Sequence, residues 1–324
     1  MNLYEQQAVN RRRTWLVMAV FVALAAFVGV GVDLFVIGGG QAYVPVGTTA
    51  ALALSGGQAY WSLRRGDRAV LMSSGAAPVE DRMRAALSDD DRLRYRQFTN
   101  IVEEMAIAGG VPAPRAYVIP DDDPNAFATG RDPAHASIAV TEGLLRSLNR
   151  GELQGVVAHE MAHIRNLDIR LMTVVAALLG MIVLLADWAG RAMRSGVGRG
   201  GSRRSKNGGG AAAIVLVIWL LAIVLAPLVA RLMALAVSRR REYLADATGA
   251  ELTRNPIGLA RALEKIEAAV APTKAIKRGT AHLCISDPLG SKMAAREGRW
   301  ADLWATHPPM HRRIAALKAM AYER

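Results

Sequence analysis

The sequence predicts an α+β chain, mostly helical, that carries about four membrane-crossing helices. Three observations point there. Four long apolar segments, residues 14–37, 43–63, 171–190 and 211–237, each approach or exceed the roughly 20 residues that a spanning helix needs. Between the second and third, helical patterns over 80–108 and 149–164 flank two short β-branched runs at 116–119 and 137–141, bounded by Pro, Asp and Gly. Strands and helices are thus segregated along the chain, the order of an α+β domain. Finally, 52% of the 324 residues are apolar, too many for an ordinary soluble protein, while 21% are charged, too many for a wholly embedded one.

The elements divide the chain into four parts. Residues 1–77 form an N-terminal anchor with two spanning helices. Arg11, Arg12 and Arg13 precede the first apolar run, which is much longer than a signal-peptide core and ends without a small-x-small cleavage site, so it reads as a retained anchor. The second run contains Pro45 and several Gly and Thr, and is the weakest of the four. Arg64, Arg65 and Arg68 follow it, and residues 34–63 contain no charge, which predicts a cytoplasmic amino terminus and a cytoplasmic domain after Leu63.

Residues 78–170 form the first part of a folded domain. Asp121, Asp122 and Asp123 lie between Pro120 and Pro124 and read as a solvated turn rather than a cation site. Residues 171–237 form a hairpin of two spans joined by a loop rich in Gly, Arg and Ser at 195–210. Arginines in that loop oppose the positive-inside bias, so the hairpin either crosses against it or inserts only in part. Residues 238–324 complete the domain.

Net charge is +12, but the arginines cluster at the ends of apolar segments and no nucleic-acid motif accompanies them. Anchoring at anionic headgroups accounts for them, so the expected partners are a membrane and peptide or protein substrates, with no nucleic acid. The single cysteine, Cys284, excludes an internal disulfide.

The chemistry concentrates in His159-Glu160-Met161-Ala162-His163. On a helix, residues four apart share a face, so both imidazoles can converge on one ion while Glu160, about 100° round, reaches a water bound to it. Zinc lowers the pKa of such a water towards 7, and the carboxylate takes its proton as the water attacks a peptide carbonyl. Asn149 and Glu152 supply a capping box, and Leu153, Val156, Val157, Met161 and Ile164 an apolar helical face.

A catalytic zinc needs a third protein ligand, and the best candidate is Glu242 in Arg241-Glu242-Tyr243-Leu244-Ala245-Asp246. Helical spacing puts Glu242 and Asp246 on one face, so that one can bind metal while the other orients a ligand histidine. An antiparallel membrane hairpin would return this segment to the histidine pair. Taken alone, an exposed acid pairing with Arg239 to Arg241 is the better reading of Glu242.

Five motifs in order, Asn125 to Gly130, Ala139-Val140-Thr141 with Gly143-Leu144-Leu145, His159 to His163, Arg241 to Asp246, and Thr306-His307-Pro308-Pro309 with Arg313-Ile314, make the chain similar to the HtpX family of membrane zinc metallopeptidases, relatives of the CAAX-prenyl endopeptidases. The resemblance implies a gluzincin-like zincin domain holding one Zn²⁺ on His159, His163 and Glu242, with Glu160 as general base and Asp246 behind a ligand. It implies that His307 stabilises the oxyanion with support from Arg313, and that Asn125, Ala139, Val140 and Arg313 bind substrate, residues 137–141 forming the edge strand to which a peptide adds. It also implies a multi-pass protein of the inner cell membrane whose catalytic domain faces the cytoplasm and degrades misfolded or damaged membrane proteins. The alternative is a zinc-binding membrane protein or transporter without protease activity. Transport needs ionisable groups at membrane depth, and the spans offer only Asp33, Asp187 and Arg231, all near ends.

Overall fold

A computed structural model describes residues 3–34, 45–179, 239–269, 283–285 and 308–322. Helix α1 (Leu3–Val32) and helix α2 (Val46–Ser73) pack against each other. Val17, Met18, Phe21 and Ala59 form one apolar cluster with Leu171, Val174, Val175 and Leu178 from the helical residues 168–179. The start of the third apolar segment is therefore packed on the first two helices. Among the described residues one helical stretch, Glu5–Gly31, is long and apolar enough to cross a membrane. Helix α2 continues past the end expected at residue 63, bending at Arg65 (φ −138°, ψ 15°), and carries its charged turns into the folded domain. Residues 180–238, which hold most of the third apolar segment, the Gly/Arg-rich loop and the fourth segment, lie outside the described residues, as does His307.

The helical patterns over 80–108 form two helices, α3 (Val79–Ala85) and α4 (Asp89–Gly109). Ser88 is the reason for the break: its hydroxyl accepts from the Asp90 N–H at 3.2 Å, and three aspartates fill the first turn of α4. Strands β1 (Ala77–Pro78), β2 (Arg115–Ile119), β3 (Ala126–Gly130) and β4 (Ala136–Thr141) form one sheet in the order β1-β2-β4-β3. Strand β4 runs parallel to β2, with Arg115 opposite Ser137, and antiparallel to β3, with Ala126 opposite Val140.

This order corrects the expected edge. Residues 137–141 are an internal strand because the short link after Gly130 folds β3 back on one side of β4 while β2 occupies the other. Ala139 and Val140 are wholly buried with both strand neighbours in place, so they offer no edge to a peptide, and β3 is the edge strand. The turn at 121–123 is as read: the Asp123 N–H donates to the Asp121 carboxylate at 3.0 Å, and exposed Asp122 pairs with Arg146.

After α5 (Glu142–Ser147), helix α6 (Arg150–Arg165) begins at the expected capping box, in which Asn149 accepts from the Glu152 N–H and Glu152 from the Asn149 N–H. Its apolar face was legible, but α6 is buried on every side. Helices α4, α7 (Arg239–Thr253) and α8 (Pro256–Ala268) surround it with strand β3, while α9 (Met310–Tyr322) packs on α8. Two glycines permit this crowding. A Cβ on Gly155 would lie 2.8 Å from the Leu259 backbone of α8, and one on Gly249 would lie 3.1 Å from the His159 nitrogen, so α7 and α8 approach α6 almost backbone to backbone.

Candidate active site

Helix α6 presents His159 and His163 one turn apart, and α7 brings Glu242 against them. The His159 and His163 Nε2 atoms are 3.3 Å apart. The Glu242 carboxylate stands 3.8 Å from the first and 3.6 Å from the second, and the ligand atoms of all three residues lie within 4.8 Å of one another. All three side chains are buried.

Each histidine is turned by a carboxylate behind it. Nδ1 of His159 lies 2.9 Å from Asp246 and Nδ1 of His163 lies 3.0 Å from Asp168. With each Nδ1 donating its proton to the carboxylate behind it, the two Nε2 atoms face each other, and once His163 gives up its second proton both lone pairs are open to one metal ion. Two nitrogens held tetrahedrally by one zinc at about 2.0–2.1 Å stand roughly 3.3–3.4 Å apart, which is the separation found. The donor set of two imidazoles and a carboxylate, with the imidazoles held in the ligating tautomer, fits zinc.

Sequence spacing alone does not point to Asp168. Five positions after His163, a continuing helix would carry it about 140° round and away from that histidine. The helix instead stops at Asn166, and Leu167 takes a left-handed conformation (φ +60°) that swings Asp168 back under the ring. Such a conformation in a non-glycine residue costs about 1–3 kcal/mol and is held by its surroundings. The one local signal is Asn166, a residue that favours helix ends.

Charges interlock beneath the trio. Arg313, expected to bind substrate and support His307, is instead wholly buried, its Nε 2.8 Å from Asp246 Oδ2, its Nη2 2.7 Å from Asp246 Oδ1 and its Nη1 3.4 Å from Glu242. It organises the two acids of α7 and presents no surface to a peptide. Burial works against ionising Asp246, yet the Arg313 guanidinium holds its pKa down at about 2. Burial lowers the pKa of His159. For His163 burial acts in the same sense, but the Asp168 hydrogen bond and the Glu242 charge outweigh it and bring it up to about 9.

Glu160 is buried beside the two histidines, 2% exposed. Burial pushes its pKa up to about 7, with the His163 charge pulling the other way. Asn125 stands at the head of β3, its side-chain oxygen accepting from the Ala126 N–H at 3.0 Å. Cys284 pairs with Phe127 on the outer edge of β3, and the Ile285 N–H donates to the Ala126 carbonyl at 3.0 Å.

A buried helix with two histidines and an acid, closed by a carboxylate from a second helix and fronted by an edge strand, defines a metallopeptidase site. Residues 92–321 match the family model described as Peptidase family M48, and the chain belongs to that family. It is 43% identical over 321 residues to the protease HtpX homolog of Caldanaerobacter subterraneus subsp. tengcongensis, covering 98% of each chain. It is also 43% identical to the one of Thermoanaerobacter pseudethanolicus, again covering 98% of each, and 42% identical to that of Lactiplantibacillus plantarum, covering 98% of this chain and 100% of the relative. Among solved structures, Ste24p of S. mikatae superposes with a TM-score of 0.47 at 15% identity, over 97% of this chain and 67% of the other. The chain is a membrane metalloprotease.

Proposed function

We propose that the chain is a zinc-dependent endopeptidase of the inner cell membrane that hydrolyses misfolded or damaged membrane proteins from the cytoplasmic side. The observation that carries this is the pair of facing Nε2 atoms 3.3 Å apart, each fixed by a carboxylate on its Nδ1, with Glu242 closing the third side. His159, His163 and Glu242 hold the metal, and Asp246 and Asp168 keep the imidazoles turned toward it. Bound zinc supplies a Lewis acid that polarises the scissile carbonyl and acidifies a water.

Glu160 does the proton work. Its carboxylate accepts a proton from the attacking water and passes it to the leaving amine. A substrate in extended form adds to β3, the edge strand, beginning at Asn125 and taking the place of Cys284 and Ile285. His307 stabilises the oxyanion, a role that rests on the Thr306 to Pro309 motif.

The four-part division at 77, 170 and 237, with the hairpin of 171–237 crossing the membrane, completes the reading. It is supported by the packing of residues 171–178 against α1 and α2. The test is cleavage of casein and of a detergent-solubilised membrane protein by the purified full-length chain. Chelation should abolish cleavage and added zinc should restore it. Undiminished cleavage in chelator would refute the metal-dependent reading.

A further inference from the structure

The first apolar helix does more than tether the domain, because it reaches the metal centre through one side chain. Asn10 lies on α1 just ahead of the apolar run, yet is only 2% exposed. Its Nδ2 donates to the Asn166 carbonyl at 3.0 Å and to Asp168 Oδ1 at 2.7 Å, committing both amide hydrogens across more than 150 residues of chain. Asp168 is wholly buried, and its other oxygen is the one that meets Nδ1 of His163. Arg241, next to Glu242 in the chain, approaches Asp168 Oδ1 at 3.4 Å. One carboxylate thus joins the anchor helix, a histidine of α6 and the start of α7.

We propose that Asn10 is a positioning residue of the metal centre: it fixes the Asp168 carboxylate, which fixes the His163 ring, so that the membrane helix α1 is a structural part of the site. The proposal rests on the reading that His159, His163 and Glu242 hold zinc. Without the Asn10 amide, Asp168 keeps one strong donor and one long one, and its carboxylate can rotate about its terminal torsion, releasing the ring. The Asn166 carbonyl, one of the acceptors left over where α6 ends, also loses its partner. Partners behind a ligand alter metal affinity about 10–100-fold, and Asn10 acts through one such partner, so a loss of about tenfold is expected.

Gln7 is the internal control. It lies three residues earlier on α1 and donates to the Arg165 carbonyl at 2.8 Å, docking the same helix to the same end of α6 without touching Asp168. The experiment measures zinc affinity by chelator competition, and the visible spectrum of the Co²⁺-substituted protein, for the full-length chain in detergent micelles. Wild type, Asn10→Ala, the volume-preserving Asn10→Leu and Gln7→Ala are compared. Both Asn10 variants should bind zinc about tenfold more weakly and shift the cobalt bands, with Gln7→Ala matching wild type in both. Wild-type affinity in either Asn10 variant, or an equal loss in Gln7→Ala, overturns the proposal and leaves the zinc reading intact. Failure of the wild type to bind zinc overturns both.

Discussion

At the scale of single residues, the site is a set of acids and bases that burial forces to share few protons. His163 sits between Asp168 and Glu242 with its pKa raised to about 9, so in the metal-free protein it carries a proton at pH 7. Zinc must displace that proton. Apparent zinc affinity should therefore rise with pH, about tenfold per unit through the neutral range, and level off as pH passes about 9, where the ring is already neutral. Titration calorimetry in buffers of different ionisation enthalpy should register release of about one proton from this group at pH 7. The folding linkage has the same origin. A histidine raised above its unfolded value of about 6.5 stabilises the metal-free fold fully below that pH and loses the contribution as pH climbs through 9. A zinc affinity independent of pH between 6 and 8 would contradict the charge assignment to His163.

The same scale marks what the sequence could disclose. His159, Glu160 and His163 were legible because helical spacing is a fixed ruler, and Glu242 and Asp246 because one turn separates them on a second helix. Asp168 was not, since its place depends on a left-handed leucine that no composition rule anticipates. The family resemblance places Arg313 toward substrate, whereas in the fold its guanidinium commits its hydrogen bonds to Asp246 beneath the site. Nothing in the sequence places Asn10 against residues 166 and 168.

At the scale of elements, the site depends on how closely α7 can lie on α6. The near contact at Gly249, where a Cβ would meet backbone atoms at Ala158 and His159 at 3.1–3.4 Å, sets the height at which Glu242, about two turns earlier on α7, reaches the two imidazoles of α6. Gly249→Ala should push the helices apart by a few tenths of an ångström. The measurable result should be weaker zinc binding with secondary structure by circular dichroism unchanged. Gly155→Ala meets Leu259 backbone at 2.8 Å and should act on stability instead, lowering the unfolding temperature by several degrees, in line with an overpacking cost of about 1–3 kcal/mol. If Gly249→Ala bound zinc as tightly as wild type, the close approach would not be what positions Glu242. The helices and two of the strands were visible in apolar periodicity and β-branching. Strand order was not, because alternation within residues 137–141 is silent on which neighbours lie beside it, and the hairpin that makes β3 the edge is a tertiary fact.

At the scale of the whole molecule, the N-terminal helices and the helix after the histidines pack together. Helix α2 runs from an apolar start into the folded domain, and residues 171–178 pack on α1 and α2 immediately after the helix of the histidines. Because His159, His163 and Glu242 meet in one cluster, the segments on either side of 171–237 must share a compartment. Reporter fusions after Leu63 and near Ala271 should both register as cytoplasmic, and opposite signals would break this topology. The central claim is that Glu160 moves the proton while the trio of ligands holds the metal, and the Glu160→Gln variant separates the two. Its amide keeps the shape of the side chain but cannot take a proton at the carboxylate position. Zinc content and peptide cleavage measured on the same preparation should therefore diverge, with about one zinc per chain retained and turnover lowered by a hundredfold or more. Wild-type turnover in that variant, with zinc still bound, would contradict the account.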